Sequence, residues 1–143
     1  MKIRTRDFGE MEIHESEIVN FRQPLFGFEG SSRYVFLHDD EISEQFVWLQ
    51  SVDEEEVRFI MVDPATVSDS YQPKLSQETM QMLGDEEYMC WLIVVIPDDF
   101  RKATVNLKSP VVVNPSRMVA AQVILEEDFP IRFPLFHDGK EEL

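Results

Sequence analysis

The sequence predicts a mostly β protein: a small antiparallel β-barrel-like single domain with one or two short helices. Three observations predict it. Apolar residues fall in short runs broken by Gly, Pro, Asp and Asn about every ten residues, the spacing of an antiparallel barrel or sandwich. Most of these runs are rich in β-branched or aromatic residues, and helical periodicity is nearly absent. The chain has 143 residues, 43% of them apolar. A chain of that length should withdraw about two-thirds of its unfolded surface from water, so it can build a core, and global disorder is excluded.

Glu10-Met11-Glu12-Ile13-His14 alternates polar and apolar side chains. As a half-buried strand it turns Met11 and Ile13 to one face and His14 outward. Further strands are expected at Arg33 to Leu37, Phe46 to Leu49, Arg58 to Val62, Tyr88 to Ile96, Thr104 to Leu107, Val111 to Val113 and Met118 to Leu125. One helix is well marked: Pro73 precedes Ser76 as N-cap, Glu78 lies in the first turn where the helix dipole favours an acid, and Gly84 supplies a left-handed stop after Leu83. Leu75, Thr79, Met82 and Leu83 should face the sheet, with Met80 beside them. A second helical turn around Asp39 to Gln45 is weakly marked. No linker or repeat divides the chain, so residues 1–137 read as one domain and Asp138 to Leu143 as a polar tail expected to fray.

The longest unbroken apolar run, Tyr88 to Ile96, has nine residues, against about 20 for a spanning helix. The N-terminus, Met1-Lys2-Ile3-Arg4-Thr5-Arg6-Asp7, leads straight into charged residues without the apolar stretch of a secretory signal. A cytoplasmic location is expected. The single cysteine, Cys90, permits no intramolecular disulfide and no four-thiolate zinc site, and its apolar surroundings suit a buried, inert thiol. With 13 Lys and Arg against 28 Asp and Glu, the formal charge is −15. Such a surface repels phosphate backbones and anionic lipid head groups, which excludes direct nucleic-acid and membrane binding. It favours encounter with a basic macromolecule, although the same charge also serves solubility alone.

Motifs of catalysis are scarce. His14, His38 and His137 lie in no metal-binding context, and Gly9, Gly27, Gly30, Gly84 and Gly139 are too scattered to cradle a phosphate. No cofactor or metal is expected. Carboxylates cluster at Asp39-Asp40-Glu41, Asp53-Glu54-Glu55-Glu56, Asp85-Glu86-Glu87, Asp98-Asp99 and Glu126-Glu127-Asp128, each between expected strands. Such loops could assemble a glycosidase pair or a calcium site. More commonly they form a solvated rim that discourages edge-to-edge aggregation.

Longer-range order then matters. Leu25-Phe26-Gly27-Phe28 is followed by Phe46-Val47-Trp48-Leu49-Gln50-Ser51 and Phe59-Ile60-Met61-Val62-Asp63-Pro64. Next come Tyr71-Gln72-Pro73, Ile96-Pro97, Thr104-Val105-Asn106-Leu107-Lys108-Ser109-Pro110, Val113-Asn114-Pro115, and Ala121-Gln122-Val123-Ile124-Leu125 with Phe129-Pro130. In order and spacing this series, from about Gly9 to Leu135, resembles the FliW flagellar assembly factor family. The resemblance implies a small β-barrel-like fold without catalysis and a role as a protein-binding regulator of flagellin synthesis. Its implied partners are flagellin and CsrA, the RNA-binding repressor of flagellin translation, bound in mutually exclusive fashion. Contact chiefly with a C-terminal extension of CsrA is also implied. Two other classes stand beside this reading: a carboxylate-based hydrolase or sugar-binding barrel, with Trp91 or Tyr71 as aromatic walls, and a general acidic export chaperone.

Candidate partner-binding residues are Phe26, Phe28, Gln50, Asp53, Glu54, Glu55, Glu56, Asp63, Tyr71 and Asn106. Exposed Phe26 or Phe28 would be an apolar anchor inside an acidic rim, and Gln50 ends a strand where it could face solvent or a partner. Gly27, Trp48, Pro64, Pro110, Asn114 and Pro115 read as structural. Trp48 suits a core anchor, Asp63-Pro64 a strand end with a rigid turn, and Asn106 and Asn114-Pro115 turn formers. A monomer is expected, because high charge opposes self-association.

Overall fold

The computed structural model describes residues 1–39, 45–84 and 87–136. Eleven strands are present among them: β1 (Lys2–Thr5), β2 (Gly9–Glu12), β3 (Val19–Gln23), β4 (Arg33–Leu37), β5 (Phe46–Ser51), β6 (Arg58–Val62), β7 (Met89–Val95), β8 (Thr104–Val105), β9 (Val111–Asn114), β10 (Val119–Gln122) and β11 (Phe133–Pro134). Two short helices join them, α1 (Pro64–Val67) and α2 (Gln77–Leu83). Every strand expected from the sequence is found, within a few residues at its ends. The expected turn at Asp39 to Gln45 falls largely outside the described residues, as does the tail.

The order β7-β6-β5-β4-β3-β10-β9 closes through a β9–β7 pairing, Met89 against Val113 and Trp91 against Val111, so seven strands form a barrel. β8 and β11 extend the sheet outward from β7. The pairings are antiparallel except β3 with β10, which is parallel and carries a register shift at Ala120/Ala121. Local spacing does not predict that junction, because it joins residues about 100 positions apart in the chain.

Strand alternation fills the lumen. Val19 and Phe21 of β3, Tyr34 and Phe36 of β4, Val47 and Leu49 of β5, Phe59 and Met61 of β6, Trp91 and Ile93 of β7, and Val111 and Val113 of β9 form one cluster. The opposite faces are covered too. Ile3, Ile13 and Ile18 pack over Val35, Leu37 and Trp48, so the β1–β2 hairpin is a lid on the outside of β4 and β5. Trp48 is 9% exposed and meets Phe8 edge-on at 5.5 Å, the core anchor expected of it. On the other side α1, α2 and the C-terminal segment cover Val62, Leu92, Val94, Val112 and Ala121.

α2 has the caps read from the sequence: Ser76 Oγ accepts from Thr79 N at 3.2 Å, and Gly84 takes φ +95° while its N–H donates to Met80 O at 2.8 Å. Thr79 and Leu83 are its buried residues. Asp63-Pro64 is more than a strand end. Asp63 caps α1, its Oδ1 accepting from Ala65 N at 2.9 Å, and Pro64 takes the first helical position, where a missing N–H costs nothing. Cys90 is half-buried, and burial pushes its thiol pKa up.

Candidate functional site

Two turns meet at one end of the barrel. In the first, Phe28 N donates to Leu25 O at 2.8 Å and Gly27 has φ +87°, a tight turn whose third position requires a left-handed residue. Leu25 is buried while Phe26 and Phe28 are 49% and 40% exposed. Gln122 of β10 fixes the turn from below, Oε1 accepting from Phe26 N at 3.0 Å and Nε2 donating to Ser109 O at 3.3 Å. Phe28 stands edge-on against Phe59 at 4.9 Å, so a hydrophobic tip is held rigid in water.

The second turn carries the acids. Gln50, 1% exposed, is a hub. Its Nε2 donates to Ser51 O at 3.0 Å, Glu55 O at 3.0 Å and Val57 O at 3.3 Å, while its Oε1 accepts from Arg6 N at 3.0 Å. The side chain is therefore interior, and a surface role for it is corrected: the β1–β2 hairpin covers it. Ser51 Oγ accepts from Asp53 N at 3.2 Å and Glu54 N at 3.0 Å and donates to Ser31 Oγ at 3.2 Å; Ser31 in turn donates to the Glu54 carboxylate. The acidic turn is thus tied to the aromatic one. Arg33 Nε donates to Asp53 at 3.2 Å, and that hydrogen bond holds the guanidinium more firmly protonated than usual. Glu55 and Glu56 point into solvent.

The other candidates lie elsewhere. Asp63 caps α1. Tyr71 is buried, donates to Leu107 O at 2.8 Å and packs on Phe129, and burial raises its pKa far above the usual phenol range; it offers no surface. Asn106 Oδ1 accepts from Lys108 N and Ser109 N at 3.0 Å each, which makes it the turn former its residue type suggested. Asn114 is buried, its Nδ2 donating to Leu83 O at 2.7 Å and its Oδ1 accepting from Ser116 N at 3.0 Å. Pro110 is buried and its carbonyl accepts from Val123 N at 3.1 Å, and Pro115 is exposed.

The opposite end of the barrel holds a feature the sequence reading did not single out. Phe36, Trp91, Val113 and Met118 with exposed Met89 and His38 line an open apolar cavity of about 190 Å³. Its only signal in the sequence is parity: Phe36, Trp91 and Val113 are lumen-facing positions at strand ends, where no further layer covers them. As for carboxylate chemistry, two grooves among the described residues carry a pair of acids: in one, Glu126 is exposed and Glu127 is half-buried and accepts from Lys74 N at 2.9 Å; in the other, Glu12 and Glu17 are both exposed. Glu12 is paired with the N-terminal ammonium at 3.1 Å, and Glu17 accepts from His14 N at 3.4 Å. Among the described residues no group of three or more His, Cys, Asp or Glu is placed to hold a metal ion, and no helix is long and apolar enough to cross a membrane.

The fold and its two differentiated ends define a class: a small closed β-barrel whose distinguishing surfaces lie at the barrel ends. Within that class the comparison with known proteins is specific. The FliW protein family model matches residues 2–135, and the chain belongs to this family. It is 37% identical to the flagellar assembly factor FliW of Lachnoclostridium phytofermentans over 95% of this chain and 91% of that one. Identity to the flagellar assembly factor FliW of Syntrophus aciditrophicus is also 37%, over 94% and 87%. A crystal structure of the flagellar assembly factor FliW superposes with a TM-score of 0.87 at 30% identity, over 96% of this chain and 98% of that one.

Proposed function

We propose that this chain is a cytoplasmic, non-enzymatic flagellar assembly factor that binds CsrA and flagellin in mutually exclusive fashion. Flagellin occupies it while flagellin accumulates. Once flagellin is exported, the freed protein captures CsrA and relieves repression of flagellin translation. The observation that carries this reading is family membership across residues 2–135. The charge of −15 supports it, because an RNA-binding repressor must carry Lys and Arg to meet phosphates, and an opposite field speeds their encounter. As the partner surface we propose the end where Phe26 and Phe28 stand beside Asp53 to Glu56. There a rigid apolar anchor sits inside an acidic rim, the arrangement of an interface hot spot. Gln50 serves it by holding the acidic turn in shape.

The test is titration calorimetry of the purified protein against the host's CsrA, alone and with flagellin present. CsrA binding that flagellin abolishes is the expected result, and Phe28→Ala should weaken at least one of the two partners about tenfold, the size of a modest hot-spot loss. Absence of binding to either protein would overturn the reading.

A further inference from the structure

We propose that the open backbone edge at Ile124 to Glu126 is a docking site where a partner protein lays down an extended segment carrying Lys or Arg, as one more strand in the groove beside α2. This rests on the function proposed above and extends its partner surface, since the groove begins next to the Phe26 turn. Beyond β10 the chain stays paired with the stretch before β9, Val123 N donating to Pro110 O at 3.1 Å and Leu125 N to Lys108 O at 3.0 Å. Backbone groups alternate in direction along a strand, so those of Ile124 and Glu126 point to the other side. β3, which covers this side of β10, makes its last pairing at Gln23 with Ala121, and the chain then turns away through Leu25 to Phe28. Among the described residues no strand meets the edge beyond that point, and neither Ile124 nor Glu126 makes a hydrogen bond.

The side chains alternate in the same way. Val123 and Leu125 are 7% and 3% exposed, whereas Ile124 between them is 65% exposed. Unpaired amides and carbonyls beside an apolar side chain in water are the template that strand addition uses. Lys74 to Ser76 and Thr79 form the opposite bank, and the space between is about 200 Å³. Gln122 joins this groove to the aromatic turn, because its Oε1 accepts from Phe26 N at 3.0 Å. A partner held along the groove therefore competes with any other protein that uses the Phe26–Phe28 end.

Charge selects the occupant. Glu126 and Glu127 line the groove, with Lys74 as its one cation among the described residues. Glu127 is engaged by Lys74 N at 2.9 Å, but Glu126 is exposed and has no ion pair. A second copy of this chain, with its charge of −15, meets repulsion at that edge, whereas a strand bearing Lys or Arg finds a carboxylate to pair with.

The test is amide hydrogen exchange on the full chain, alone and in complex with CsrA or with flagellin, beside titrations of wild type, Ile124→Pro and Ile124→Val. In the free protein the amides of Val123 and Leu125 should exchange slowly and those of Ile124 and Glu126 fast. In at least one complex the Ile124 and Glu126 amides should slow by about tenfold or more. Ile124→Pro deletes the N–H but no bond of the free fold, and should weaken that same partner by about tenfold or more. Ile124→Val keeps the N–H and should bind at least about fivefold more tightly than Ile124→Pro. If a partner binds while the two amides still exchange fast, or Ile124→Pro binds as wild type does, the edge is not the docking site and the proposed function stands. Slowing of these amides in the protein alone as its concentration rises would seat a second copy there and overturn the assignment as well. If wild type binds neither partner, the functional reading fails and the docking site with it. Should Ile124→Pro fail to fold in thermal melts, Glu126→Lys takes its place, with a loss of about fivefold or more expected and an unchanged affinity overturning the proposal.

Discussion

Tyr34 is 0% exposed, and its hydroxyl is the buried side-chain polar atom without a hydrogen-bond partner among the described residues. Its ring packs well, 4.9 Å from Phe21 and 6.3 Å from Phe59. Ser31 exerts a small favourable pull on the phenolate but gives its own proton to Glu54. A buried hydroxyl left unpaired costs about 1–3 kcal/mol. Tyr34→Phe should therefore stabilise the protein by about 1 kcal/mol and raise Tm by a few degrees in a thermal melt; a fall in Tm would show the hydroxyl to be bonded. Burial also pushes the Tyr34 pKa up to about 12 from 10.0. Between those values the unfolded chain has lost the phenolic proton and the native state still holds it, so rising pH favours unfolding. Melts from pH 9 to 12 should show a loss of stability that Tyr34→Phe reduces. Tyr71, shifted in the same direction, retains its share of that loss. Gln50 shows why such residues are hard to read from sequence. Its parity in β5 points it away from the lumen, which for an ordinary barrel means solvent, and only the hairpin formed 40 residues earlier makes it interior. No local pattern encodes that cover.

At the scale of elements, legibility followed length and capping. The strands β4 to β7 and β9 were legible because each joins β-branched or aromatic residues to a turn signal. α2 was legible because Ser76 and Gly84 bracket it. β3 was missed, since Val19-Asn20-Phe21-Arg22-Gln23 has only two lumen-facing apolar residues, Val19 and Phe21, and its parallel partner β10 lies far along the chain. α1 was missed because four residues are too few to show a 3.6-residue period. The Asp63-Pro64 pair that read as a turn is an N-cap followed by a first-turn proline, and a helix of one turn relies on its cap for much of its order. Asp63→Ala removes the acceptor for Ala65 N and should cost about 1 kcal/mol, read as a lower midpoint in urea. Asp63→Asn keeps an acceptor and should recover most of it. Equal losses for both would place the role of Asp63 outside the cap. The candidate site was partly legible for the same reason as the strands: Gly27 and the Asp53 to Glu56 run mark turns locally. That the two turns touch, through Ser31, Ser51 and Glu54, depends on the pairing of β4 with β5.

The whole molecule sets two differentiated ends on a rigid tube and surrounds both with negative charge. The lumen cluster runs from Phe59 and Tyr34, beneath the Phe28 tip, to Phe36 and Trp91 at the mouth. Interiors packed in this way deform little, so partner recognition falls to the end loops and to electrostatics. A charge of −15 acts over distances larger than any one contact, though salt of about 0.15 M screens it beyond about 8 Å. Steering and contact make different kinetic predictions. If the acidic field only guides a basic partner to the barrel, raising salt from about 0.05 to 0.5 M should cut the association rate constant for CsrA by at least tenfold and leave dissociation nearly unchanged. Were carboxylates such as Glu17 or Glu55 desolvated against cations in the bound complex, dissociation would accelerate as well. Stopped-flow association and dissociation across that salt range separate the two. Because the acids of both barrel ends are solvent-exposed and Glu12, Asp53 and Glu54 already have partners within the chain, the field should act mainly on association. A salt-insensitive association rate would remove electrostatics from the proposed recognition of CsrA and leave the apolar features at the two ends to account for it.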